Sequence, residues 1–121
     1  MKKARIALLL PVLFLAFSLQ SMVASKGVLG TWKYTSPNAP YEYNTGEIAI
    51  SQADGEYKVV ISIDGGSMEG THVKVEGNTI TFSVWVEGSS IPVELTANGD
   101  KMEGFSQTPE GDLKIKCTRK K

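Results

Sequence analysis

Two side chains stand alone in this sequence of 121 residues: His72 is its only histidine and Cys117 its only cysteine. These residue types most readily move protons, attack electrophiles or hold metals near neutral pH. His72 alternates with Lys74 and Glu76, which marks a solvated strand face, and Cys117 alternates with Leu113 and Ile115 as a small buried hydrophobe. No nucleophile and base pair can be assembled, and metal-ligand spacing is absent. The glycines follow turn spacing and open no helix, so they form no phosphate loop. The expectation is a protein that is not an enzyme, with no catalytic residues, no cofactor and no metal. The chemistry that remains is binding. Tyr34, Tyr41, Tyr43, Ile63, Met68, Phe82, Trp85 and Ile91 make an aromatic and apolar set suited to a small hydrophobic or amphipathic molecule, if the fold gathers them.

The elements that must gather them are announced by turns. Asp54-Gly55, Asp64-Gly65, Glu76-Gly77, Glu87-Gly88, Asn98-Gly99 and Glu110-Gly111 place six glycines 10, 12, 11, 11 and 12 residues apart. Each pair lies between apolar runs and reads as a hairpin turn. Six turns separate seven strands, at 45–52, 56–63, 68–75, 79–86, 90–96, 101–107 and 112–119, and an eighth precedes them at 30–35. Period-2 alternation gives every strand one apolar face, as in Tyr57, Val59, Ile61 and Ile63, or Ile80, Phe82, Val84 and Val86. Open edges would invite aggregation, whereas closure points all the apolar faces inward. The expected fold is all-β: an eight-stranded antiparallel up-and-down β-barrel with no significant helix. A two-sheet sandwich is the alternative, disfavoured because near-uniform short turns supply no long crossover.

Residues 1–25 stand apart from this pattern. Lys2, Lys3 and Arg5 precede an apolar run from Ile6 to Phe17 and then small and polar residues, the pattern of a secretory signal peptide. The run is too short to span a membrane as a helix, and no later stretch is longer, so the mature form is expected to carry no integral membrane segment. The expected organisation is a signal peptide over 1–25 and a single domain over 26–121, exported to the periplasm or secreted. Ten basic against thirteen acidic residues then remain, a net charge of −3, and nucleic acid is not an expected partner. With one cysteine, no internal disulfide can form.

Gly30-Thr31-Trp32 at the start of the first strand and Cys117-Thr118-Arg119 at the end of the last resemble the calycin superfamily, the lipocalins and fatty-acid-binding proteins, here as a small bacterial lipocalin-like chain. In lipocalins a Gly-x-Trp packs beneath an Arg or Lys from near the end of the barrel; Gly30, Trp32 and Arg119 match that pattern. The resemblance implies a structural floor at these residues and a mouth at the opposite end. It leaves two roles for Arg119: stacking on Trp32, or facing the cavity to hold a carboxylate as in fatty-acid-binding proteins. The nine-residue loop from Ser36 to Asn44 cannot form the two-helix lid of that family.

Alternating chain direction puts the turns near 54, 76 and 98 at the floor. The loop from Pro37 to Tyr43 and the turns near 64, 87 and 110 go to the mouth, lined below by Ile61, Val75, Phe82, Val84, Val93 and Ile115. The functional expectation is a lipocalin-like binding protein. The alternative is a protein-interaction or inhibitor module, in which a filled barrel presents the Pro37 to Tyr43 loop and an outward Trp85 to a protein partner.

Overall fold

The computed structural model describes residues 27–121, and the expected signal peptide lies outside the described residues. Nine strands follow one another: β1 (Gly30–Thr35), β2 (Thr45–Ala53), β3 (Glu56–Ile63), β4 (Gly66–Glu69), β5 (Thr71–Glu76), β6 (Thr79–Val86), β7 (Ser89–Asn98), β8 (Lys101–Thr108) and β9 (Gly111–Arg119). A single 3₁₀ turn, Tyr41–Tyr43, interrupts the loop between β1 and β2. The strands form one antiparallel sheet in the order β4-β3-β2-β1-β9-β8-β7-β6-β5, which excludes the two-sheet sandwich. Chain start and chain end are neighbours: β1 pairs with β9, with Trp32 opposite Arg119. This is the expected all-β barrel, nearly closed.

The count is nine and not eight because the strand expected over 68–75 breaks at Gly70. Its first half, β4, pairs with β3, and its second half, β5, pairs with β6. The Gly70 amide donates to the Val59 carbonyl at 2.8 Å, and a Cβ at Gly70 would lie 2.9 Å from the Cβ of Val59. Just beyond, His72 takes a φ of 54° while His72 and Val73 together oppose Phe82, a β-bulge. The extra residue reverses side-chain parity, so Met68 before it and Val73 and Val75 after it all pack against the core. A barrel must bend its wall to close, and this corner supplies the bend.

The turns all have two residues, but three shift by one position from the spacing: Gly77-Asn78, Gly99-Asp100 and Pro109-Glu110. Where both turn residues carry positive φ, as in Glu87 at 48° and Gly88 at 83°, the turn is the type I′ that matches strand twist. The interior is apolar over most of its height, with Trp32, Ile80, Leu95, Met102 and Val59 almost wholly buried. β8 departs from that rule. Its inward positions run Met102, Gly104, Ser106 and Thr108, so its mouth half is small and polar. A Cβ at Gly104 would run into the carbonyl of Glu94, which shows how closely β7 and β8 approach there.

Candidate functional site

At the floor, Trp32 is fully buried and its indole Nε1 donates to the Val28 carbonyl at 3.0 Å. The Arg119 guanidinium lies over the indole, 4.2 Å from the ring centroid. Arg119 Nη1 donates to the Leu29 carbonyl, and Nη2 to those of Gly27 and Gly99, both at 3.1 Å. Nε meets the Asp100 carboxylate at 3.1 Å. One side chain thus ties the segment before β1 to the turn between β7 and β8. Gly30 makes room for it, because a Cβ there would sit 2.8 Å from Nη1, and its φ of 127° disfavours any other residue. Of the two roles the resemblance left open, this geometry has Arg119 on Trp32, and Arg119 does not line the cavity.

The opposite end is hollow. A cavity of about 290 Å³ opens between the loop 36–44 and the turns at Glu87-Gly88 and Pro109-Glu110. Ile48, Ile61, Phe82, Val84, Val93 and Ile115 form its deep wall, and Tyr34, Tyr43, Met68 and Ile91 its upper wall. Two hydroxyls are committed to the wall itself. Tyr34 Oη donates to the Tyr43 carbonyl and Ser36 Oγ to that of Lys114, both at 2.8 Å. Tyr43 then reaches across the opening, where its Oη donates to Glu87 Oε2 at 3.3 Å. In the strand order the β1–β2 loop and the β6–β7 turn lie on roughly opposite sides of the rim, so this bond straps the mouth. Burial, and then the nearby Cys117 thiol, push the Tyr34 phenol above its ordinary pKa. Desolvation and then the Glu87 carboxylate do the same for Tyr43, which keeps it a donor.

Five of the eight residues expected at the site, Tyr34, Tyr43, Met68, Phe82 and Ile91, come together in the cavity wall. Three do not. Ile63 packs beside Tyr34 at Gly46, outside the cavity lining, while Tyr41 at 85% and Trp85 at 68% exposure face solvent. Val75, expected in the lining, packs against the core at the floor end, opposite Ile80 and two residues from the Gly77-Asn78 turn. The acidic turns had already put Glu87 and Glu110 at this end; the lining residues that sequence reasoning missed include the hydroxyls Ser36, Ser89, Ser106 and Thr108 and the apolar Ile48, Val86 and Leu113. Parity with Met102 would have found Ser106 and Thr108, but a search for apolar faces passes over them.

Cys117 is buried toward the C-terminal end of β9, between Tyr34 and Met102 of the neighbouring strands, and desolvation raises its thiol pKa to about 12. The folded protein should therefore resist a disulfide reagent at pH 8, and the denatured chain should release one titratable thiol; rapid reaction of the folded form would show that the cavity reaches the sulfur. Below the unfolded thiol's pKa both states hold the proton. Above it the unfolded chain loses its proton first, so stability should fall as pH rises toward about 12, by at most about 1.4 kcal/mol per pH unit.

No protein-family model matches the chain, and no curated protein does. Among solved structures the barrel is similar to secretory abundant heat soluble protein 4 from Ramazzottius varieornatus, at 16% identity and a TM-score of 0.56, over 79% of this chain and 96% of that one. It is also similar to a redesigned β-barrel, at 17% identity and 0.55, over 81% and 96%. A mutant of the fluorescent protein UnaG matches at 14% and 0.54, over 80% and 99%. At these identities the likeness shows the fold alone, an antiparallel β-barrel.

Proposed function

We propose that this protein is an exported, lipocalin-like binding protein, periplasmic or secreted, that takes a small apolar or amphipathic molecule into the mouth of its barrel and performs no catalysis on it. The supporting observation is the cavity of about 290 Å³, walled by aliphatic and aromatic side chains and open at one end. At roughly 30 Å³ per water-sized group, it accommodates about ten non-hydrogen atoms. A medium-length alkyl chain or a small ring system fits that size; a long fatty chain does not fit wholly inside.

Titration calorimetry with 1-decanol tests the reading. Saturable one-to-one binding with a sub-millimolar Kd is expected, and absence of saturable binding would end it. The exposed Tyr41 and Trp85 favour a second reading, an interaction surface for a protein partner, since large exposed aromatics often mark such contacts. Trp85→Ser separates the two, because it should leave decanol binding unchanged if the ligand sits inside the barrel.

A further inference from the structure

The charge at the mouth is one-sided. Its loop and turns carry Glu42, Asp64, Glu87 and Glu110, Asp112 follows directly in β9, and these segments hold no lysine, arginine or histidine. None of these five carboxylates takes part in an ion pair among the described residues; of the eight elsewhere, Glu47, Glu76, Asp100 and Glu103 do and Asp54, Glu56, Glu69 and Glu94 do not. Two of the five, Glu87 and Glu110, line the cavity itself, and no basic side chain among the described residues does. The guanidinium that could have held a carboxylate is spent at the floor, on Trp32, three carbonyls and Asp100.

From this arrangement we infer that the ligand is a cationic amphiphile, a primary amine on an alkyl or aryl body, and not a fatty carboxylate. The inference rests on the binding reading above and specifies the head group for the same cavity. The apolar body occupies the space between Ile61, Phe82, Val93 and Ile115. The ammonium then stands at the rim between Glu87 and Glu110. Glu87 uses only Oε2 toward Tyr43, which leaves Oε1 to accept from the ammonium. Ser106 and Thr108 lie along the same wall. Thr108 Oγ1 is already committed to the Gly111 carbonyl at 2.7 Å, whereas Ser106 Oγ makes no hydrogen bond among the described residues and can accept a further donor from the ligand. A carboxylate head in this place would meet two like charges and no cation, which disfavours it by Coulomb repulsion and by lost solvation.

Three ten-carbon probes compared by calorimetry at low salt test this: decylammonium, 1-decanol and decanoate. Decylammonium should bind about tenfold tighter than decanol, and decanoate weaker than decanol, with the spread shrinking as salt is added. Decanol is each variant's own reference, so a general loss of folding or binding does not imitate loss of charge preference. In the double variant Glu87→Gln/Glu110→Gln the ratio of decylammonium to decanol affinity should fall to about one. Decanoate binding as tightly as decylammonium, or a preference that survives the double variant, would overturn the inference while decanol binding leaves the broader reading standing. If none of the three binds, both fall together.

Discussion

Arg119→Ala should lower the melting temperature by more than 10 °C while changing the affinity of the cavity for decanol by less than about twofold. The stability estimate sums the contacts at the floor. Three backbone carbonyls lose a charged donor, at roughly 1 kcal/mol each after water takes part of its place, and the indole loses a stacked cation worth about 0.5 to 1 kcal/mol. The Asp100 pair adds little, since Asp100 is half exposed and solvent screens it. A total of about 3.5–4 kcal/mol is a large part of the 5–15 kcal/mol that holds a small domain together, and each kcal/mol moves the midpoint by roughly 4–8 °C at this size. Arg119→Lys should recover less than half, because an ammonium cannot reach the carbonyls of Gly27, Leu29 and Gly99 at once while lying flat on the indole. Thermal melts and decanol titrations on the same preparations decide the matter. Unchanged melting with lost binding would move Arg119 from the floor to the ligand.

Ser106→Phe should weaken decanol binding at least about tenfold without lowering the melting temperature. Ser106 points into the cavity from β8, paired with Val93 on one side and Leu113 on the other, which are both lining residues. A benzyl group there takes the space of about five further non-hydrogen atoms, which at roughly 0.3 kcal/mol of ligand binding per atom is about 1.5 kcal/mol, or tenfold. Filling a void commonly stabilises by about 0.5–2 kcal/mol, so the folded state should hold or gain. Ser106→Ala is the companion variant. It removes only the hydroxyl and should leave decanol affinity within about threefold. If Ser106→Phe binds decanol as the parent does, the ligand lies outside the barrel, and the exposed face around Trp85 becomes the place to look.

Much of this architecture was legible from local chemistry. The Asp-Gly, Glu-Gly and Asn-Gly pairs marked the turns to within one residue, since few residues other than glycine take positive φ without strain. Alternation marked which side chains face inward, and the tie between the chain ends followed from counting strands. The break at Gly70 was not legible. A bulge there depends on where β3 and β6 stand, and only the assembled barrel places Val59 and Phe82 against the same glycine. The same bulge lets Met68 before it and Val75 after it both face inward, Met68 at the mouth and Val75 near the floor.

The cavity divides along a similar line. Sequence determined that Tyr34, Tyr43, Met68, Phe82 and Ile91 belong to one end of the barrel, because strand direction and period-2 alternation are properties of each segment alone. Whether those side chains fill the barrel or leave room is a matter of volumes meeting across it. The small inward residues of β8 and the reach of Tyr43 to Glu87 are what keep about 290 Å³ open. Charge followed the same division. The acidic turns and their end of the barrel could be read in the chain, but only the fold shows Glu87 and Glu110 lining the opening with no ion-pair partner among the described residues, since an ion pair requires two side chains in reach and reach is set by tertiary structure.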